Sequence, residues 1–129
     1  MLGFHSVIWV ALGGALGAVL RWVIGLSLNH LSPHIIMGTL AANLLGAFIM
    51  GLCIAVVEKA ISLPGQWQLF IMTGFLGALT TFSTFTAESF TLLHQGDYFY
   101  FILHLLLHLV GTLLCFSLGW LLLKFLLPS

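Results

Sequence analysis

The stretch GFLGALTTFSTF, Gly74 to Phe85, sets two glycines and a run of hydroxyl side chains inside an otherwise hydrophobic segment. A membrane helix tolerates such a cluster only where it faces water, protein or an ion, because lipid satisfies no polar group. Channels and transporters hold ions with polar, interrupted backbone at membrane depth. The stretch therefore predicts an ion-transport site, in which Phe82 and Phe85, three residues apart, share one face of a helix.

The composition favours a membrane protein. Of the 129 residues, 61% are hydrophobic and 5% are charged, and the mean hydropathy is +1.22. A soluble domain carries about 25% charged residues, so this chain cannot cover a water-facing surface. Its length predicts one domain, residues 1–129. Three Lys and Arg residues balance three Asp and Glu residues, which excludes the clustered basic surface of a nucleic-acid-binding protein.

Four apolar segments are each long enough to cross a bilayer, which needs about 20 helical residues. They are predicted at about residues 3–28, 35–57, 67–93 and 98–127. We therefore expect an all-α membrane protein with four transmembrane helices embedded in the lipid bilayer. Lys59 and Lys124 fall on one side, while Arg21 lies nearer the other. This bias is small enough to allow insertion in both orientations.

Small residues at four-residue spacing indicate close helix contacts. The second span carries two such ladders: Gly38, Ala42 and Gly46, and Ala47, Gly51 and Ala55. Two ladders on one helix predict contact on two sides, which favours an oligomer over a lone four-helix chain. The alternative is that Gly and Ala are simply common in membrane helices.

Two polar residues stand alone in the first two spans. Asn43 is costly in a membrane helix unless its amide is paired, and it either joins helices or donates its two N–H bonds to an ion. Arg21 lies well inside span 1, where an insertion cost of about 2.5–3.5 kcal/mol implies a partner or an aqueous vestibule. Snorkelling toward the helix end is the alternative for Arg21.

His104 and His108 are four residues apart on the fourth span, a spacing that fits a transition metal. No carboxylate or thiol on that helix completes a metal site. Polar packing toward the pore side is the favoured interpretation for His108, which lies one turn before Thr112. Glu88 lies two turns after Thr80. It either continues a polar track away from the phenylalanines or is an interfacial charge.

Three segments together resemble one family. GGALGAVLRW at 13–22, GTLAANLLGAF at 38–48 and GFLGALTTFSTFTAE at 74–88, in that order, resemble the Fluc/CrcB fluoride channels. The resemblance covers all four spans. It implies a dual-topology homodimer in the bacterial cytoplasmic (inner) membrane, with two antiparallel subunits, a break near the centre of each third span, and two fluoride pores.

The resemblance also implies roles for particular residues. Asn43, Phe82 and Phe85 would line the pores, with the phenylalanines contributed by opposite subunits. A structural sodium ion at the dimer interface would be held by the backbone carbonyls of Gly77 and Thr80.

The chemistry of fluoride is compatible with such a lining. A pore must replace the water of this small, strongly hydrated anion with close hydrogen-bond donors, and a benzene ring offers a positive edge. A lining without a fixed cation allows the ion to leave as readily as it enters. The candidate hydroxyl donors are Thr39, Ser83, Thr84 and Thr112, and the candidate polar track or vestibule residues are Arg21 and Glu88.

The predicted function is passive fluoride export, which prevents fluoride toxicity in the cytoplasm. An alternative is a small dual-topology multidrug-type cation exporter, which needs an acidic residue in the first span, where this chain has Arg21. A non-transporting assembly subunit would have no use for a polar centre in span 3. An enzyme is not expected, because the spans contain no nucleophile–base pair and no deep pair of acids.

Overall fold

The computed structural model describes residues 3–59 and 63–127. It contains four helical segments long and apolar enough to cross a membrane: Phe4–Leu31, Met37–Glu58, Gly65–His94 and Tyr98–Leu126. We refer to them as spans 1 to 4. They confirm the predicted all-α membrane fold, and the described residues include no β-strand. The chain is therefore a multi-pass membrane protein.

Spans 2 and 4 are continuous α-helices, whereas the other two spans change character along their length. Span 1 is α-helical over Phe4–Leu28 and ends in a 3₁₀ turn, Asn29–Leu31. Span 3 is composite: it is α-helical at Gly65–Gln68, π-helical at Leu69–Leu76, α-helical at Gly77–Leu79 and, after a break, α-helical again at Phe82–His94. π-helical turns are frequent at functional sites, so span 3 is the candidate location of the functional site.

Short polar connections fix how the spans meet. The Asn29 side-chain oxygen accepts a hydrogen bond from the Gly38 N–H at 2.9 Å, which ties the end of span 1 to the start of span 2. Span 2 begins at Met37, not at the expected residue 35, because Ile36 has an extended backbone (φ −76°, ψ 94°). Gly96 adopts a positive φ of 77° in the turn between spans 3 and 4, a conformation that glycine adopts without steric cost.

The spans pack as two closely apposed pairs. Span 1 lies along the first half of span 3, and span 2 lies along span 4. A Cβ atom at Gly17 would approach the backbone N of Leu79 to 3.0 Å, and one at Gly51 would approach the backbone N of Trp120 to 3.0 Å. These backbones approach so closely that only glycine fits, as expected for small-residue contacts in membranes.

Both glycine ladders of span 2 are filled within a single chain. Gly38 packs against Gly25 of span 1, Gly46 against Thr80 of span 3, and Gly51 against Phe116 of span 4. The predicted contact of span 2 on two sides is confirmed, but the contacts are within one chain, so the ladders do not by themselves favour an oligomer. A helix at the centre of a four-helix bundle already has neighbours on both sides.

Candidate functional site

The third span is interrupted at Thr80 and Thr81, close to its centre. Both residues have extended backbones, with φ −82° and ψ 153° at Thr80 and φ −147° and ψ 121° at Thr81. Thr81 then starts the next helix, because its side-chain oxygen accepts the Thr84 N–H at 3.2 Å, as threonine does at a helix N-cap. The break predicted from the sequence is present.

Asn43 of span 2 holds the break in place. Its side-chain oxygen accepts the Thr81 N–H at 2.7 Å, and its amide nitrogen donates to the Thr81 carbonyl at 3.1 Å. The same nitrogen lies 3.2 Å from Nδ1 of His108 on span 4. The buried amide thus substitutes for hydrogen bonds that an uninterrupted helix would make, which removes the cost of exposing the backbone to an apolar interior.

The break also releases carbonyl groups. In a continuous helix the Gly77 carbonyl would accept from Thr81 and the Thr80 carbonyl from Thr84. Here the Thr81 N–H donates to Asn43 and the Thr84 N–H donates to the Thr81 hydroxyl. The carbonyls of Gly77 and Thr80 are therefore free of the donors that a continuous helix would supply. Oxygen atoms are the preferred ligands of hard cations.

Arg21 has a specific partner in the same region. Its Nε donates to the carbonyl of Ala78 at 3.0 Å, one of the last carbonyls before the break. A cation is stabilised there by the negative end of the helix dipole. The Ala78 carbonyl is thus the partner that an arginine so deep in a membrane helix was expected to need. Arg21 also lines a cavity of about 750 Å³, the Arg21 vestibule, together with Asn29, Thr39 and Thr84.

Phe82 and Phe85 form a tilted aromatic pair, with ring centroids 5.5 Å apart. Their surroundings differ, because Phe82 is 75% exposed and Phe85 only 7%. The Phe85 ring lies nearly parallel to the His104 imidazole (5.2 Å, 17°) and 4.8 Å from the His108 ring. The stacked imidazole covers a face of the Phe85 ring, so the ring edge remains for other contacts.

A buried cluster lies behind Phe85. The Thr39 hydroxyl donates to one Glu88 oxygen at 2.5 Å, and the other Glu88 oxygen is 3.7 Å from Nε2 of His104. Glu88, His104 and His108 each offer a ligand atom, and these atoms lie within 4.8 Å of one another. Glu88 is thus a buried residue of the bundle interior and not an interfacial charge.

Two cavities meet at this cluster. The central cavity, of about 340 Å³, is lined by Asn43, Thr80, Phe82, Phe85 and His108 among others. A second cavity of about 330 Å³, the Glu88 vestibule, extends from Glu88 and His104 to the turn residues Gln95 and Asp97. The two cavities lie on opposite sides of Phe85 and the cluster. Polar groups therefore extend from the turn between spans 3 and 4, through the cluster, to the break.

Most hydroxyls proposed as donors already have partners within the chain. The Thr81 hydroxyl lies 3.0 Å from that of Thr84 and 3.2 Å from that of Ser83. The Thr112 hydroxyl donates to the carbonyl of His108 at 2.5 Å, although Thr112 also lines the central cavity. Of these hydroxyls, Ser83 is exposed on the outside of the bundle.

The structure brings most residues of the predicted site into one region. It also places further residues there, which were not among the predicted site residues. Thr81, which the sequence analysis did not select, is the residue that Asn43 clamps. His108 lines the central cavity together with Thr112, as its predicted polar packing toward the pore side requires, and His104 lies against Phe85 and Glu88. The four-residue spacing of the two histidines was the signal in the sequence. Glu88, which lies beside His104, is on span 3, so the pattern of span 4 alone could not identify it as a partner of the histidines.

Together, the fold and the site define a four-helix membrane protein whose third span is interrupted near its centre, as helices of channels and transporters are. The chain belongs to the CrcB-like protein family, also described as Camphor Resistance (CrcB), whose pattern matches residues 8–120. Many curated proteins are similar to this chain.

Three relatives illustrate the similarity, and all three are named fluoride-specific ion channel FluC. The protein of Cupriavidus pinatubonensis is 48% identical over 118 residues, which cover 92% of this chain and 91% of the relative. That of Serratia proteamaculans is 46% identical over 117 residues (91% and 92%). That of Burkholderia vietnamiensis is 45% identical over 116 residues (90% and 91%).

Proposed function

We propose that the protein is a fluoride-selective channel that exports the anion passively across the bacterial cytoplasmic membrane. The observation that carries this proposal is the central cavity, where an amide at a helix break faces a phenylalanine pair. No Lys or Arg is among the described residues that line it. The names of the relatives, which are 40–48% identical to this chain, support the same anion.

The lining fits the physical demands of fluoride. Asn43 carries N–H donors, and the edges of Phe82 and Phe85 carry partial positive charge. Neither group supplies a full charge, so the ion is stabilised without being trapped. We propose that these three residues line the pore, with the hydroxyls of Thr39, Ser83, Thr84 and Thr112 as further polar lining.

Arg21 and Glu88 are proposed to flank this pore. Each of them lines a separate vestibule, and Thr39 contributes to one and donates its hydroxyl to Glu88 of the other. A fixed cation at a vestibule attracts anions before they enter a narrow pore. A positive charge kept outside the central cavity therefore assists entry without holding the ion in place.

Export needs no energy source in a cell with a negative interior. The electrostatic free energy falls by about 2.3 kcal/mol per 100 mV of membrane potential for each fluoride ion that leaves the cell. A channel therefore suffices. The cation-exporter alternative has no support, because Arg21 stands in the span where its acidic residue is needed and the relatives are named as fluoride channels.

We further propose that two antiparallel copies form the working unit. Phe82 is 75% exposed, and Gly77 and Ser83, on either side of the break, are exposed as well. Lipid cannot satisfy a polar break at this depth. A second copy laid over this face would cover the break and would place its own Phe82 beside the first pore.

A sodium ion is the proposed structural ion of this dimer. The carbonyls of Gly77 and Thr80 would hold it, because their usual helical donors are engaged elsewhere. A hard cation bound there would neutralise the carbonyl dipoles at the break. Its location on the exposed side of Gly77 suits an ion shared between two copies.

Ion flux from liposomes tests the channel function. Purified protein should release fluoride at least ~100-fold faster than chloride, equivalent to a barrier difference of about 2.7 kcal/mol. A fluoride electrode and a chloride electrode measure the two rates, with protein-free liposomes as the control. Liposomes prepared with N-methylglucamine in place of sodium should conduct less fluoride if the sodium ion is structural. Equal fluoride and chloride rates contradict the proposal.

Insertion in both orientations is the expected behaviour of a dual-topology dimer. Because the Lys and Arg bias is small, reporter tags placed next to Lys59 or Asp97 should each be accessible from both membrane faces. Three added lysines beside Asp97 should fix one orientation. That variant should conduct only when it is co-expressed with a partner fixed in the opposite orientation. A single orientation of the unmodified protein contradicts the antiparallel pair.

A further inference from the structure

The buried cluster of Glu88, His104 and His108 contains polar side-chain atoms that make no hydrogen bond to the other described residues. His104 is fully buried, His108 is 3% exposed and Glu88 is 8% exposed. Among the described residues, neither ring nitrogen of His104, nor His108 Nε2, nor Glu88 Oε2 has a hydrogen-bond partner. A buried polar atom without a partner costs free energy, so several such atoms close to one another favour a ligand that they share.

The donor set matches a first-row transition metal. Two imidazole nitrogens and one carboxylate oxygen suit zinc, whereas calcium and magnesium prefer all-oxygen sites. Zinc binds nitrogen and oxygen ligands at about 2.0–2.2 Å, so tetrahedral ligand atoms lie ~3.4 Å apart. Glu88 Oε2 and His104 Nε2 are 3.7 Å apart, and all three ligand atoms lie within 4.8 Å of one another. Small side-chain movements would close the site.

We propose that Glu88, His104 and His108 form a binding site for a divalent transition cation of the zinc type. Spans 3 and 4 supply the three ligands, and water completes the fourth position of the tetrahedron. The two histidines lie one turn apart on span 4, so a single helix face presents both rings. The carboxylate reaches them from the half of span 3 that follows the break.

The site has an access route. The Glu88 vestibule reaches Glu88 and His104 from the turn between spans 3 and 4, and Asp97 and His34 stand among its lining residues. A carboxylate and an imidazole near the loop end attract a divalent cation. A hydrated metal ion can therefore approach the buried ligands without crossing lipid.

Metal binding would alter the clamp on the break. Asn43 donates to Nδ1 of His108, which requires the ring proton on Nε2. Zinc bound through Nε2 requires the proton on Nδ1, and that N–H cannot accept from Asn43. Resting on the proposed channel function, we expect zinc to lower fluoride flux, because Asn43 clamps Thr81 and the cluster lies directly behind Phe85.

Metal binding can be measured without any fluoride assay. A starting protein in which the exposed histidines outside the Glu88 vestibule are changed to glutamine (His5, His30 and His94) lacks adventitious sites at the surface. It should bind one Zn²⁺ per chain in competition with a chromogenic chelator, and Co²⁺ in its place should give the visible absorption of tetrahedral coordination. His104→Gln, His108→Gln and Glu88→Gln should each weaken zinc binding by more than the roughly 10–100-fold that loss of an outer-shell partner costs.

A ligand-exchange variant controls for misfolding. His104→Cys replaces one zinc ligand by another, so it should retain binding that His104→Gln loses. Fluoride flux measured with and without zinc in the same protein should fall when zinc is added, and this loss should be absent in His104→Gln. Zinc binding that is undetectable in the starting protein, or that is as tight in all three glutamine variants as in the starting protein, overturns the proposal.

Discussion

Phe85→Ile is expected to reduce fluoride flux by about tenfold or more, a barrier increase of at least ~1.4 kcal/mol. Isoleucine keeps most of the buried volume but removes the aromatic ring edge that carries partial positive charge. The ring also stacks on His104 and packs at a tilt against His108, so its loss leaves the anion without an ordered wall. Fluoride efflux from liposomes at equal protein content measures the change.

The matched control for this variant is Phe90→Ile. Phe90 lies on the same helix, is 64% exposed and stacks on the exposed His94, so the same substitution there should leave flux unchanged. Gel filtration and circular dichroism should show intact helical protein for both variants. A Phe85→Ile variant that conducts fluoride like the parent excludes the ring-edge mechanism. The channel function itself is tested separately, by comparing the fluoride and chloride flux rates of the parent.

The four spans and the broken third helix could be predicted from the sequence. Long apolar segments have no other stable environment than lipid, and hydroxyls with glycine at membrane depth indicate an interruption. The position of the break is also local, because the Thr81 hydroxyl caps the following helix at Thr84. Properties of this kind depend on residues close together in the chain.

Contacts between spans were harder to predict. The sequence identified Asn43 as a polar residue in need of a partner, but its hydrogen bonds to Thr81, 38 residues later, depend on how spans 2 and 3 pack. Glu88 likewise meets His104 only through the packing of the second half of span 3 against span 4. No local pattern encodes such distances.

The small-residue ladders show the same limit of local patterns. Spacing of four residues predicts that a helix is approached closely, but it does not identify the neighbour. Gly46 meets Thr80 and Gly51 meets Phe116 of the same chain. The case for a second copy therefore rests on the exposed side of the break, at Gly77 and Phe82, and not on the ladders.

Asn43→Asp is expected to reduce fluoride flux by about 100-fold or more. The substituted carboxylate can still accept the Thr81 N–H, but it places a negative charge beside the Thr81 carbonyl and in the path of an anion. Two like charges 4 Å apart repel by about 4 kcal/mol at the effective dielectric constant of a partly wet site. The flux assay in liposomes, with fluoride inside and a potassium gradient setting the potential, measures the loss.

A neutral substitution separates the charge from the lost hydrogen bonds. Asn43→Ser keeps one hydroxyl donor and acceptor but cannot reach both groups of Thr81, so it weakens the clamp without adding a charge. We expect its fluoride flux to lie between those of the parent and the aspartate variant, because repulsion of the ion is the larger effect. Equal flux in the serine and aspartate variants contradicts an anion path beside Asn43. It would leave this residue as a clamp that shapes the break, with fluoride passing elsewhere.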